Sequence, residues 1–125
     1  MNFKVRSYLI ELARQKTNQT VGYQKLSNDC NLGLNMQNSP QDRIEMGTIL
    51  GDISKFEFNN GKRPLLSALV IRIGDKTEGD GFYKLADELG FGKWTDLKKD
   101  GLFEIIQIKE CIEFWSNNDN YLKYK

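Results

Sequence analysis

Histidine is absent from this chain of 125 residues. With it go the Ser-His-Asp and Cys-His constellations, imidazole acid–base chemistry, and zinc sites built on paired cysteines and histidines. Cysteine is scarce: Cys30 and Cys111 stand far apart, so free thiols are expected rather than a disulfide framework. No apolar run approaches the roughly 20 residues that span a bilayer. The opening Met1-Asn2-Phe3-Lys4-Val5-Arg6 has no signal-peptide hydrophobic region, so the expected location is the cytoplasm, without a membrane partner. An excess of one charge is also missing, with 18 Lys and Arg against 17 Asp and Glu.

What is present is ordinary for a folded protein: 39% hydrophobic and 28% charged residues. A chain of this length reads as one domain, residues 1–125, able to bury roughly two-thirds of its unfolded surface without a staple. Its near-neutral charge is unevenly spread. Residues 1–25 carry five basic side chains against one acid, and 62–76 carry four against one. The intervening 26–61 and the following 77–104 are net acidic.

The chain is organised around Ser39 to Ile73. Ser39 suits an N-cap, Pro40 the first helical position and Asp42 the first turn. At helical spacing Met46, Ile49, Leu50, Ile53 and Phe56 form an apolar stripe, and Gln41, Glu45, Thr48, Asp52 and Lys55 a wet one. Gly47 and Gly51 lie four apart on a third side. Either another backbone approaches there or the two glycines are simply tolerated. Asn59-Asn60-Gly61 and Pro64 end the helix. The run Leu65 to Ile73 is apolar at both parities, and so reads as a central strand buried on both faces.

Around this unit the spacing predicts a helix over 2–16, a shorter one over 21–30 and another over 82–89 ended by Gly90. Gly74 to Gly81 reads as a glycine-rich acidic loop. It lacks the ligand order of an EF-hand and the pattern of a phosphate-binding loop. Phe91 to Trp94 reads as a turn, its aromatics covering a core edge or, for Trp94 beside Lys93, stacking on a base. Residues 102–108 fit strand or helix. The stripe Ile105, Ile108, Ile112 and Trp115 favours a helix from about Gly101 to Trp115, followed by a polar tail, 117–125, expected to fray.

No catalytic constellation emerges. Asp96-Leu97-Lys98 is the one D/E-x-K triplet a metal-dependent nuclease would use, but it reads as turn. Nothing sets a separation among Glu78, Asp80, Asp87 and Glu88 that paired-carboxylate chemistry would need. Cys30 lacks a histidine activator and reads as a small buried hydrophobe. The chain is therefore expected to be non-enzymatic, with neither cofactor nor metal.

Two segments resemble known families. Arg63-Pro64-Leu65-Leu66-Ser67-Ala68-Leu69-Val70, followed by Gly79-Asp80-Gly81-Phe82-Tyr83-Lys84-Leu85-Ala86, resembles a pattern in small uncharacterised bacterial and phage proteins. Val21-Gly22-Tyr23-x-x-Leu26, then Ile44-x-x-Gly47-x-x-Leu50-Gly51, resembles the winged-helix DNA-binding domain of alkylguanine alkyltransferases and alkyltransferase-like proteins. The resemblance implies a small α+β, winged-helix-like domain, mostly helical, with a short sheet built on 65–73. That family's Pro-Cys-His-Arg reactive motif is missing, and Arg63-Pro64-Leu65-Leu66 stands where it would be sought, which excludes alkyl transfer.

Two functional expectations follow. In the first, the chain binds DNA, with Lys4, Arg6, Arg14, Lys25, Lys55, Lys62, Arg63 and Arg72 as phosphate contacts. Against it, the wet helix face presents Glu45 and Asp52, which repel a duplex. In the second, the chain is a protein-interaction or inhibitor module of bacterial or phage type, meeting its partner through Glu45, Asp52, Asp75, Glu78 and Asp80.

Overall fold

A computed structural model describes all 125 residues. Seven helices surround one short parallel strand pair, a mostly helical α+β arrangement. In order these are α1 (Phe3–Ala13), β1 (Val21–Gly22), α2 (Tyr23–Asp29), α3 (Pro40–Asn59) and a 3-10 turn (Leu66–Leu69). Then come β2 (Val70–Ile71), α4 (Asp80–Glu88), α5 (Trp94–Asp100), α6 (Leu102–Ser116) and α7 (Asn118–Tyr124). None of the helices is long and apolar enough to cross a membrane.

The α3 start is as its cap chemistry dictates. Ser39 Oγ accepts from the Asp42 N–H at 3.2 Å, and Pro40 occupies the first turn. The helix ends with positive φ at Gly61 and Lys62, where the Lys62 and Arg63 N–H groups return to the Phe58 and Glu57 carbonyls. Its buried side differs from the expected stripe. Met46, Leu50 and Ile53 are inside, but Ser54 and Glu57 replace Ile49 and Phe56, which are half-buried.

The run after α3 is central and buried from Leu65 to Ile71, but it is not a long strand. Leu66–Leu69 forms the 3-10 turn, packed against α1, α3 and α6, and only Val70–Ile71 pairs, in parallel, with Val21–Gly22. Ile73 is 72% exposed. The reason lies in how the backbone is satisfied. The Leu65 N–H donates to Gln107 Oε1 at 3.0 Å, its carbonyl accepts from the Cys111 thiol at 3.3 Å, and the Ser67 N–H donates to Ser54 Oγ at 3.1 Å. Side chains of two helices thus supply what neighbouring strands would have supplied, and the segment is free to coil.

Three other expectations change. Residues 94–100, read as turn and connector, form α5, with Asp96-Leu97-Lys98 on it. On α6 the buried side is Gln107, Cys111 and Trp115, while Ile105 is 60% exposed. The tail does not fray: Asn117 caps α7 by accepting from the Asn120 N–H, and the Tyr124 carbonyl accepts from Arg6 at 2.6 Å.

That last bond belongs to a buried cluster. Glu57 is 0% exposed, and its carboxylate accepts from Arg6 Nε at 2.7 Å and from Arg63 Nε at 2.8 Å. The two guanidiniums lie over the Phe56 ring, with Arg6 also near Trp115 and Arg63 near Tyr124. Removing one partner of a buried pair strands the remaining charge, at a cost of roughly 3–5 kcal/mol. Glu57→Ala, which strands two cations, is expected to destabilise by at least that range in urea unfolding. By contrast, Gly47→Ala, in mid-helix with nothing within 4 Å of the added carbon, is expected to stabilise by roughly 0.5–1 kcal/mol in the same measurement.

Candidate functional site

The opposite face of α3 walls a groove of about 820 Å³. Two rows at four-residue spacing line it: Arg43, Gly47, Gly51 and Lys55, and beside them Ile44, Thr48 and Asp52. The far wall is α4 with the segment leading into it, through Phe82, Leu85, Lys84 and Glu88. Met46, Leu50 and Ser67 contribute to the floor. From Arg43 to Lys55 the α3 wall runs for about 18 Å at helical rise. No other part of the chain comes within 4 Å of where a Cβ would stand on Gly47 or Gly51, so the bare helix backbone borders open space.

At one side of this groove Glu78 is held in an unusual state. It is 2% exposed, and neither carboxyl oxygen has a hydrogen-bond partner. Its position is set by the preceding loop, which is closed on itself. Arg72 donates to the Asp75 carboxylate at 2.8 Å and to Thr77 Oγ1 at 2.9 Å, and the Arg72 N–H donates to the Thr77 carbonyl. Lys76 takes positive φ to make that turn. Glu78 is tied to α6 by its own N–H, which donates to Glu104 Oε2 at 2.9 Å, and the Tyr83 hydroxyl donates to the same oxygen.

Burial disfavours the charged form of Glu78. The neighbouring Glu104 carboxylate adds to this and Arg72 opposes it, so that Glu78 is pushed up to about 9. Tyr23, which also lines the groove, is pushed up to about 12, by burial first and then by Glu78. At neutral pH the groove thus holds a carboxyl that keeps its proton.

Of the expected phosphate contacts, Arg6 and Arg63 are buried on Glu57 and cannot reach a backbone outside. Arg14 donates to the Trp115 carbonyl and to Asn118, and Lys25 pairs with Asp29 at 3.0 Å. Lys4 and Lys62 are exposed, the latter over the Phe58 ring. Only Lys55 and Arg72 line the groove, Lys55 paired with Glu88 and Arg72 with Asp75.

Of the expected acidic contacts, Asp52 and Glu78 line the groove. Asp75 is exposed in its loop, and its carboxyl is held below the usual range by the Thr77 hydroxyl and N–H, then by Arg72. Asp80 pairs with Lys98, which holds its carboxyl down too, and Glu45 is exposed on α3 outside the groove. Glu78 differs from all of these because it is inside.

Other residues considered from sequence take structural places. Cys30 and Cys111 are free and buried, and burial pushes both thiols up. Trp94 opens α5, half-buried, with the Lys84 ammonium 5.0 Å from its ring centre. No three acidic or cysteine side chains converge as metal ligands would.

Arg43 and Lys84 are not singled out from sequence, and Glu88 is considered there only for paired-carboxylate chemistry, although all three charge the groove's rim. The signal for Arg43 was there: it continues the Gly47, Gly51, Lys55 row by one helical turn. Lys84 and Glu88 carry no signal for this groove, since only packing of α4 beside α3 brings them to this face.

The state of Glu78 sets a pH dependence. The folded chain holds a proton that the unfolded chain releases above its ordinary value of 4.5, so folding stability falls as pH rises from there towards about 9. Glu78→Gln, which cannot ionise, is expected to match the parent in urea unfolding near pH 4. It should become progressively more stable than the parent up to pH 9. No protein-family model, curated protein or solved structure matches this chain, so the indication of function comes from the groove itself.

Proposed function

We propose that this chain is a non-enzymatic protein-interaction module that receives a peptide segment of a partner protein in the groove between α3 and α4. The observation that carries this is the uncovered glycine row. Gly47 and Gly51 each give up helix stability, yet no part of this chain uses the close approach they permit. A partner's backbone would use it. The length fits as well, because about 18 Å accommodates roughly five residues of extended chain, or three helical turns. The apolar floor and the mixed charges along the rim, Arg43 and Lys84 with Asp52 and Glu88, are the make-up of a recognition surface with an apolar centre.

The DNA-binding reading, and with it the winged-helix reading, draws on the order of α2, a turn and α3. It has fewer cations to draw on than the sequence suggested, because Arg6 and Arg63 are committed to Glu57. The two strands pair in parallel, between distant parts of the chain, rather than as a hairpin beside α3.

The groove can be probed with peptides before any natural partner is identified. Selection of a random-sequence displayed peptide library on the parent protein should enrich binders. Gly47→Trp, which fills the groove from an exposed helical position, should weaken those binders at least roughly tenfold in calorimetry. Failure to enrich any peptide, or enriched peptides that bind Gly47→Trp as well as the parent, would overturn the proposal.

A further inference from the structure

Resting on that reading of the groove, we propose that Glu78 is the anchoring point for the segment: it takes a basic side chain, Lys or Arg, of the bound peptide as an ion pair at the side of the groove. The geometry supporting this is the contrast between the two buried glutamates. Glu57 accepts from two guanidiniums of its own chain. Glu78, equally withdrawn from water, accepts from nothing: both carboxyl oxygens are buried and unpartnered, on a residue that lines the groove. A buried acceptor without a donor is destabilising, a cost removed when a ligand brings the donor.

The electrostatic surroundings choose a cation over a neutral donor. The groups around Glu78 are Tyr23 of α2, Arg72 after β2, Tyr83 of α4, and Glu104 and Cys111 of α6. Tyr83 spends its hydroxyl hydrogen on Glu104, and Arg72 is turned to Asp75 and Thr77. At Glu78 the Glu104 carboxylate outweighs the opposing charge of Arg72, so the field of its charged neighbours is negative. A neutral amide or hydroxyl would leave that repulsion in place, whereas a guanidinium or ammonium offsets it and also satisfies the orphaned oxygens.

Binding then has a proton balance. The free protein holds Glu78 protonated at neutral pH, and the ion pair needs it ionised, so one proton leaves to solvent as the cation enters. Affinity for such a peptide therefore rises with pH across the range up to about 9, where Glu78 in the free protein loses its proton anyway. A peptide held by neutral contacts alone would show no such rise.

The experiment uses peptides from the library selection that compete with one another and fail on Gly47→Trp, so that groove binding is already secured. Among these, one position is expected to be fixed as Lys or Arg. Changing that residue to Met should weaken binding roughly tenfold or more to the parent but change it little for Glu78→Gln, and the rise with pH should vanish in that variant. Groove-binding peptides with no fixed basic residue, or an equal loss on Met substitution in both proteins, would overturn the anchoring role and leave the peptide groove standing. An absence of any groove-binding peptide would overturn both. Because Glu78→Gln is expected to be at least as stable as the parent, loss of folding does not imitate either outcome.

Discussion

A single carboxylate holds the ends of this fold together. Glu57, in the last turns of α3, receives Arg6 from α1 and Arg63 from the segment leaving α3, and Arg6 reaches on to the Tyr124 carbonyl at the end of α7. Parts of α1, α3 and α7 that are remote in sequence are thus joined through the Arg6–Glu57 pair. The Coulomb attraction must offset the desolvation of three charges, which it can do only with short, well-directed hydrogen bonds. The net positive charge left over is spread over the Asn60 and Tyr124 carbonyls and the faces of Phe56, Trp115 and Tyr124. One unpaired group accompanies this arrangement: the indole N–H of fully buried Trp115 has no acceptor.

With α3 fastened at its end by ion pairs and along its inner face by Met46, Leu50, Ile53 and the Ser54–Ser67 hydrogen bond, its outer face is under no demand from the fold. That freedom is what makes the groove. Residues facing inward are chosen by packing, and two glycines facing outward serve no packing role within the chain. The same helix therefore supplies both the scaffold and the wall of the candidate site, and a site on a long helix anchored at one end keeps its geometry.

The two buried glutamates show how one residue type meets burial in two ways. Both are removed from water, where an ionised carboxyl is costly. Glu57 meets that cost with partners built into the chain. Glu78 meets it by holding a proton. The loop that precedes Glu78, closed by Arg72, Asp75 and Thr77, is read in the sequence only as glycine-rich and acidic, and in the structure it leads into a buried carboxyl.

Local chemistry determined the ends and the existence of most helices. Ser39-Pro40 started α3, Gly61 stopped it, and the spacing of Val5, Leu9 and Leu12 marked α1, because caps and amphipathic periods act within a few residues. The sequence by itself also determined that Leu65 to Ile71 would be inside, since so apolar a run has nowhere else to go. Whether that run would be a strand was decided elsewhere: Ser54, Gln107 and Cys111 took up its backbone groups, and no local pattern reports on hydrogen-bond partners 13 to 46 residues away. Tertiary structure likewise decided which charges are working charges. Arg6, Arg63, Glu57 and Glu78 are ordinary surface residue types whose burial depends on what folds over them, and a charge acquires its role from its partners, which the linear order does not specify.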